Sequence, residues 1–199
     1  MADEVGVGPW QGEWPVADHY DPELLREGDR RNVEDRFRYW TMASIVAELD
    51  RSRSGLHVAI ENWEHDFNIG SIVRTANAFN VAAFHIVGRR RWNRRGAMVT
   101  DRYQHEFHHQ DADGLASWAA DRGLPLVGVD NIPGSVAIEG LALPAPCVLV
   151  LGQEGPGLSA AMRAACSPVV HITQHGSTRS MNAGAAAAIA IYEWTRQHG

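Results

Sequence analysis

The stretch LHVAIENWEHDFNIGSIVRTANAFNVAAFHIVG, residues 56–88, contains the alternation that decides the fold class. Its first seven residues, LHVAIEN, form a short apolar run that predicts a buried strand. NIGSIVRTANAF at 68–79 has the apolar spacing of a helix, and AAFHIVG at 82–88 predicts a second strand. Strands joined through a helix lie parallel in one sheet, so this stretch indicates an α/β protein.

The same alternation continues to the end of the chain. Further strands are predicted at 124–130, 147–154 and 168–173, and further helices at 115–123, 158–166 and 182–197. Short apolar strands that alternate with helices are typical of a parallel sheet whose two faces are both covered. We therefore expect an α/β fold, a parallel sheet with helices on both faces.

The composition is that of a globular protein with one sizeable core. The chain has 199 residues, of which 45% are hydrophobic. No apolar run reaches the length that crosses a membrane, and the first residues lack the basic and apolar regions of a signal peptide. Cys147 and Cys166 have no metal-binding spacing, so we expect buried thiols and a cytoplasmic location.

The N-terminal residues differ from the rest in charge. Residues 1–35 carry 10 acidic residues and 3 arginines, so the formal net charge of −6 arises there. Residues 1–32 are polar, acidic and interrupted by glycine and proline, which predicts a flexible acidic arm. Apolar residues at helical spacing predict a helical extension over 33–54, and the main domain is expected over 55–199.

The basic residues are all arginine, and five of them fall close together. GRRRWNRRG at 88–96 contains Arg89, Arg90, Arg91, Arg94 and Arg95 around one tryptophan. A run of charges is commonly a solvated surface, but guanidinium groups interleaved with an aromatic ring are also typical of nucleic-acid binding. Because the run follows a predicted strand, we favour a nucleic-acid contact near the edge where the strands end.

Polar, glycine-rich segments follow three of the predicted strands. They are ENWEHDFNIGSIVR, LGQEGPGLS and ITQHGSTRSMN. Ligands of open parallel sheets bind beyond the carboxyl ends of the strands. The three segments are therefore expected to converge on one edge of the sheet.

The first of these segments contains Asn68, Gly70 and Arg74. Asn68 is able to cap the helix that follows, and Gly70 permits close backbone approach. A lone arginine such as Arg74 is commonly a surface residue whose stem covers apolar groups, and the alternative is a guanidinium directed at a phosphate. The residues alone leave both interpretations open.

The other two segments carry candidate ligand groups. The glycines of 152–157 expose backbone donors suited to a small polar ligand, although their spacing is not that of a dinucleotide site. Glu154 is either the partner of a helix dipole or a site carboxylate. Helix capping explains Ser180 or Asn182 singly, but not both together with Arg179.

One further pattern suggests a metal site. HEFHH at 105–109 matches the HExxH pattern of zinc proteases. The surrounding residues provide neither an apolar helical face nor a third ligand. We therefore interpret this segment as a polar loop or an edge strand and expect no metal.

Together, the three polar segments resemble the three motifs of the SpoU (TrmH) family of RNA 2′-O-methyltransferases, in the SPOUT superfamily. NIGSIVRTANAFNV, VLVLGQEGPGLS and ITQHGSTRSMNAGAAAAIAIYEW match motifs 1, 2 and 3, and the resemblance covers residues 56–197. The third motif is closest to that of members that methylate a guanosine ribose in the tRNA D-loop, although ribosomal RNA enzymes share the same motifs. A catalytically inactive knotted RNA-binding module is the alternative.

The resemblance also implies a fold, a cofactor and a partner. Family members form a deep trefoil knot at the C-terminus, which binds S-adenosylmethionine, and they are homodimers. By motif position, the cofactor site of this chain comprises Gly152, Ile172, Met181, Val129, Leu151 and Gly157.

By the same matching, the resemblance implies catalysis by Arg74, assisted by Asn68, Glu154, Ser180 and Asn182. The RNA, tRNA or rRNA, is expected to contact the helix over 33–53 and the arginines Arg89, Arg90, Arg91, Arg94, Arg95 and Arg179. The chain departs from the family at Asp66 and Phe67, where His or Pro-His is usual, and at Ala183 and Gly184, which replace larger residues.

Overall fold

A computed structural model describes residues 6–64 and 68–199, so the departure at Asp66 and Phe67 lies outside the described residues. The chain divides into two compact units, Met1–Ser52 and Arg53–Gly199. The boundary between them is close to the predicted start of the main domain at 55.

The N-terminal unit is folded where the composition predicts a flexible arm. Helix α1 (Pro22–Glu27) buries Leu25, and the backbone N–H of Trp10 donates to the Leu25 carbonyl at 2.8 Å. The Trp10 ring packs edge-on against Tyr39, with 5.4 Å between the ring centroids. Burial of large aromatic rings offsets the cost of ordering the chain. The prediction of a flexible arm therefore does not hold for residues 6–32.

The helix predicted over 33–53 is shorter than expected. Helix α2 spans Met42–Asp50, and Thr41 is its N-cap. Tyr39 has φ of 62°, a left-handed conformation that a helix cannot continue through. The physical reason is the buried carboxylate of Asp29, which accepts a hydrogen bond from the Tyr39 N–H at 2.9 Å. This contact holds the backbone before α2 in a turn.

The described part of the second unit is built on a seven-stranded sheet, and every pair of neighbouring strands is parallel, as predicted. The strands are β1 (Leu56–Asn62), β2 (Ala83–Gly88), β3 (Glu106–His109), β4 (Leu126–Val129), β5 (Val136–Ala137), β6 (Cys147–Leu151) and β7 (Val169–His171). Their order across the sheet is β3-β2-β1-β6-β4-β7-β5. The segments that follow the strands therefore all leave the sheet at the same edge.

Helices cover both faces of the sheet. One face packs against α3 (Ile69–Ala78) and α6 (Ala183–His198), and the other packs against α4 (Ala112–Ala120) and α5 (Ala160–Ala165). The α/β architecture predicted from the sequence is thus confirmed. None of the helices within 6–64 and 68–199 is both long enough and apolar enough to cross a membrane.

Strand β3 is the least apolar strand of the sheet, and it lies at one edge. Its position agrees with the interpretation of HEFHH at 105–109 as an edge strand. Because the segment is not helical, the HExxH pattern lacks the geometry of a zinc protease. The residues that the structure describes contain no group of three side chains able to hold a metal ion.

The two cysteines are buried and unpaired, as predicted. Burial raises the pKa of the Cys147 thiol and of the Cys166 thiol to about 12. Both thiols are therefore protonated at neutral pH and chemically inert.

A chain of three histidines crosses β1, β2 and β3 on the face covered by α4. His57 Nδ1 lies 3.0 Å from His85 Nε2, and His85 Nδ1 lies 2.9 Å from His109 Nε2. Trp118 packs on all three rings, and Phe107 stacks on His85. Neutral rings supply the one proton that each contact requires, so the chain forms without a buried charge.

Burial keeps these rings neutral. It lowers the pKa of His57 to about 4, with help from the Arg122 cation, and lowers the pKa of His85 to about 2, with help from the two neighbouring histidines. The pKa of His109 is also lowered, mainly by burial. In the unfolded chain a histidine has a pKa of about 6.5. The unfolded chain therefore binds protons below this pH that the folded chain does not, and stability declines as the pH falls.

The His85→Phe variant tests this dependence. In the wild-type protein, the free energy of unfolding should fall between pH 7 and pH 5, by up to about 1.4 kcal/mol per pH unit for each histidine. Replacing His85 should lower stability at pH 7, because His57 and His109 lose their ring partner, and should also reduce this slope. Urea unfolding at pH 7, 6 and 5 measures both quantities. Exposed His175→Phe is the control, and equal slopes in wild-type and His85→Phe proteins would contradict the account.

Candidate functional site

A cavity of about 580 Å³ opens at the carboxyl edge of the sheet, beyond β4, β6 and β7. This volume falls in the range of small-molecule sites, about 300–1,000 Å³. The residues singled out from the sequence that line it are Val129, Leu151, Gly152, Glu154, Gly157, Ile172, Arg179, Ser180, Met181 and Asn182. The segments that follow β6 and β7 thus converge on one cavity, as predicted.

The floor of the cavity is a tight loop from Gln153 to Gly157. The Gln153 N–H donates to the Gly157 carbonyl at 3.1 Å, and the Gly157 N–H donates back at 3.0 Å. A Cβ on Gly152 would overlap the carbonyl carbon of Gly157, so only glycine fits there. The Asp130 carboxylate accepts a hydrogen bond from the Leu158 N–H at 2.9 Å and anchors the end of the loop. The loop is therefore held in one compact conformation where it lines the cavity.

Two side chains tie this loop to the end of β1. The Gln153 side-chain oxygen accepts hydrogen bonds from the N–H groups of Trp63 at 3.2 Å and Glu64 at 2.9 Å. The buried Glu61 carboxylate accepts from the Trp63 indole at 2.8 Å and from the Ser159 N–H at 2.7 Å. In the sequence, Glu61 and Gln153 are simply polar residues at the end of an apolar strand. The motifs alone therefore do not reveal that they connect the loop to β1.

Asn68, Glu154 and Asn182 form a hydrogen-bonded chain that joins all three motif segments. Asn182 Oδ1 caps α6 by accepting from the Ala185 N–H at 3.1 Å, and its Nδ2 donates to Asn68 Oδ1 at 2.9 Å. Asn68 Nδ2 in turn donates to a Glu154 carboxylate oxygen. The sequence allows Asn68 to cap α3, but its side chain makes no capping hydrogen bond there. Instead, it connects the cavity to α6.

Arg74 lies in the second turn of α3 and is exposed. It does not line the cavity, and it makes no hydrogen bond or ion pair with a described residue. One turn earlier, Ser71 meets the start of α6, since a Cβ on Gly184 would lie 2.5 Å from Ser71 Oγ. Residues three apart share one face of a helix, so Arg74 follows Ser71 on the face next to the start of α6. A ligand bound there would be within reach of the guanidinium.

The arginine run leaves β2 at the same edge of the sheet. Asn62, the last residue of β1, holds its backbone: Nδ2 donates to the carbonyls of Arg89 at 2.6 Å and Arg91 at 3.0 Å. Only β1 separates β2 from β6. With a strand spacing of about 4.8 Å, the run begins roughly 10 Å from the cavity loop. The side chains of Arg89, Arg90, Arg91 and Arg95 are exposed.

Two residues of the run, Trp92 and Arg94, are engaged in contacts with the protein itself. The Arg94 guanidinium donates to Asp101 at 2.6 Å and to Glu106 at 2.7 Å, and it lies over the Trp92 ring. Burial disfavours the charge of Arg94, but the hydrogen bonds to the two carboxylates outweigh it and raise the Arg94 pKa. The Trp92 ring packs edge-on against Phe84 of the core. These two residues shape the loop, and the exposed arginines around them are available to a ligand.

The segment before α6 is anchored at two points. Asn131 Nδ2 donates to the Arg179 carbonyl at 3.0 Å, which fixes the segment against the end of β4. The Glu139 carboxylate accepts from the Thr173 N–H at 2.9 Å. The backbone N–H groups of Glu139 and Thr173 lower the pKa of Glu139, which keeps this anchor charged. The exposed side chains of Arg179 and Ser180 then stand on the cavity wall.

Comparison with known proteins identifies the family of the second unit. Residues 55–192 match the model of the SpoU rRNA Methylase family. A protein of Mycobacterium ulcerans (strain Agy99), named an uncharacterized tRNA/rRNA methyltransferase, is 36% identical over 160 residues, which cover 77% of this chain and 50% of the relative. The chain thus spans about half the length of this curated relative.

Solved structures share the architecture. The TrmH/SpoU tRNA modifying enzyme of A. aeolicus superposes with a TM-score of 0.69 at 22% identity, over 78% of this chain and 81% of that chain. The SpoU methyltransferase AviRb from Streptomyces viridochromogenes, in complex with the cofactor AdoMet, superposes with a TM-score of 0.64 at 26% identity, over 75% of this chain and 60% of that chain. Both likenesses agree with the α/β fold described above.

Replacing Gly152 with alanine is expected to distort the cavity floor, because the new Cβ overlaps the backbone of Gly157 and Leu158. Overpacking of this kind costs about 1–3 kcal/mol, so the melting temperature should fall by several degrees. Gly176→Ala is the matched control, since a Cβ there has no neighbour within 4 Å. Equal melting temperatures of the two variants in scanning calorimetry would contradict this packing.

Proposed function

This chain belongs to the SpoU rRNA methylase family, and from that premise we propose that it transfers a methyl group from S-adenosylmethionine to a ribose 2′-hydroxyl of RNA. The observation that carries the proposal is the hydrogen-bonded chain of Asn68, Glu154 and Asn182 at the cavity, which unites the three motif segments. The name of the mycobacterial relative and the AdoMet complex of AviRb support the RNA class and the methyl donor. We propose that the substrate is tRNA and the target a D-loop guanosine; ribosomal RNA is the alternative substrate.

The cavity fits S-adenosylmethionine in size and chemistry. The loop containing Gly152 and Gly157 offers backbone hydrogen-bonding groups to a polar ligand. Apolar surface for an adenosine group comes from Val129, Leu151, Ile172 and Met181. When bound, the cofactor supplies an electrophilic methyl group on a sulfonium centre.

The task of the protein is to orient a poor nucleophile and to help remove its proton. The amide of Asn68 is held on both sides, by Glu154 and by Asn182, so its position is fixed before the substrate arrives. We assign these three groups, with the hydroxyl of Ser180 on the cavity wall, to holding the ribose. Pre-organised donors and acceptors of this kind lower the barrier because no reorganisation is needed at the moment of reaction.

We assign Arg74 to the phosphate of the target nucleotide. A guanidinium remains protonated at neutral pH, which makes it a poor proton acceptor and a strong phosphate ligand. Its place one turn beyond Ser71 allows it to hold the phosphate next to the asparagine chain. There the positive charge also stabilises the negative charge that develops on the 2′ oxygen, while another group accepts the proton.

The remaining RNA contacts are proposed for the exposed arginines of the run and for Arg179 on the cavity wall. Arg89, Arg90 and Arg91 follow a strand next to β1, so the polynucleotide would extend from the cavity along the edge of the sheet. Guanidinium groups bind successive phosphates without reading sequence.

We also propose the deep trefoil knot and the homodimer of the family. The knot is supported by the path of the segment over 172–182, which contacts Asn131 after β4 and Asn68 after β1. The homodimer is supported by Ile189 and Tyr192, large apolar residues that are exposed one turn apart on α6.

Replacing Arg74 with alanine should reduce methyl transfer by about 100-fold or more, because a phosphate ligand and its charge are lost. The dissociation constant for S-adenosylmethionine should stay within about twofold of wild type, since Arg74 does not line the cavity. Labelled methyl transfer to RNA and calorimetry with the cofactor measure the two effects. Arg122→Ala is the control, since Arg122 precedes β4 and lies at the amino ends of the strands. Near-normal transfer by Arg74→Ala would overturn the assignment.

Replacing Arg89, Arg90 and Arg91 together with alanine should weaken RNA binding and flatten its salt dependence. The slope of log affinity against log salt should become less steep by about one for each phosphate contact removed. Fluorescence anisotropy at several salt concentrations measures this slope, again with Arg122→Ala as the control. An unchanged slope would identify the run as a solvated surface.

A further inference from the structure

His171 is the last residue of β7, and it stands half-buried on the wall of the cavity. Its Nδ1 atom lies 2.9 Å from the hydroxyl oxygen of Ser135. Its Nε2 atom makes no hydrogen bond with any residue that the structure describes. A polar ring on the wall of a ligand cavity, held at one nitrogen and open at the other, indicates a contact with the ligand.

The Ser135 hydroxyl determines which nitrogen of the ring carries the proton. Ser135 Oγ donates to the carbonyl of Ile132 at 2.7 Å, and the Ser135 N–H donates to the same carbonyl at 3.1 Å. A hydroxyl has one proton and a carbonyl only accepts, so that proton is already used. Ser135 Oγ must therefore accept from His171, and Nδ1 carries the proton. In a neutral imidazole, Nε2 is then an acceptor.

The strand order places His171 away from the reacting groups. Strand β4 lies between β6 and β7, so with a strand spacing of about 4.8 Å His171 is roughly 10 Å from the Gly152 loop. Asn68 follows β1, on the other side of β6, and is farther still. His171 thus lies at the end of the cavity remote from the chain of Asn68, Glu154 and Asn182.

We propose that His171 Nε2 accepts a hydrogen bond from an N–H group of S-adenosylmethionine remote from the reacting methyl group, and that Ser135 positions the ring for this contact. The inference rests on the proposed function, since it concerns the same cavity. The chemistry required is an N–H donor. The cofactor has two such groups, the exocyclic amine of adenine and the ammonium of its amino-acid end.

Calorimetric titration with S-adenosylhomocysteine, which keeps both donors, tests the contact without any methyl transfer. His171→Phe, which keeps a ring of similar size, should weaken binding by about five- to tenfold. His171→Gln, whose amide oxygen restores an acceptor, should recover part of the loss. Ser135→Ala should weaken binding by about two- to threefold, because the His171 ring is no longer held in one tautomer.

Two analogues identify the donor. 5′-Methylthioadenosine lacks the amino-acid end, and S-inosylhomocysteine has a carbonyl in place of the adenine amine. If the adenine amine is the donor, His171→Phe should weaken binding of 5′-methylthioadenosine and leave S-inosylhomocysteine unaffected. If the ammonium is the donor, the pattern should be reversed, and either pattern supports the proposal.

Exposed His175→Phe, which changes a nearby histidine outside the cavity wall, is the matched control. Melting curves establish that each variant is folded. If His171→Phe does not fold, the two variants Ser135→Ala and His171→Gln decide the question. Equal affinities of wild-type protein and the His171 variants for S-adenosylhomocysteine would overturn this inference alone. Failure of the wild-type protein to bind S-adenosylhomocysteine would overturn the proposed function as well.

Discussion

The backbones of Gly152 and Gly157 lie in close contact, and this contact sets the shape of the whole site. It closes the loop after β6 so tightly that no side chain fits between the two residues. The loop is then held from both sides, by Asp130 after β4 and by Glu61 at the end of β1. A cavity whose floor is backbone, fixed to two neighbouring strands, is rigid enough to bind a small ligand in one orientation.

Around this floor, the candidate site groups are arranged according to the order of the strands. The cavity lies beyond β4, β6 and β7, the asparagine chain lies between the cavity and α3, and the arginine run follows β2. We propose that these regions bind, in this order, the cofactor, the reacting ribose and the RNA backbone. The directions of the hydrogen bonds also agree: Asn182 is oriented by capping α6, Asn68 by Asn182, and Glu154 accepts at the end. The helix cap at Asn182 thus orients the whole hydrogen-bonded chain.

Much of the second unit follows from local patterns. The apolar run at 56–62 predicts β1 with the bounds that the structure shows, and the convergence of the motif segments follows from the parallel direction of the strands. The structure of the N-terminal unit does not follow from local patterns. Asp29 accepts a hydrogen bond from the Tyr39 N–H, ten positions away, and this contact overrides the helical spacing of the residues. The histidine chain likewise joins three strands, the Ser135–His171 contact joins the residue before β5 to the end of β7, and no local pattern encodes either.

The activity that we propose is transfer of a methyl group, at this cavity, to a ribose hydroxyl of RNA. Incubation of the purified protein with total RNA and isotopically labelled S-adenosylmethionine, followed by digestion to nucleosides and mass spectrometry, tests it most directly. We expect label in a 2′-O-methylated nucleoside, with 2′-O-methylguanosine from the tRNA fraction. Label on a nucleobase, or RNA that is bound but never methylated, would contradict it.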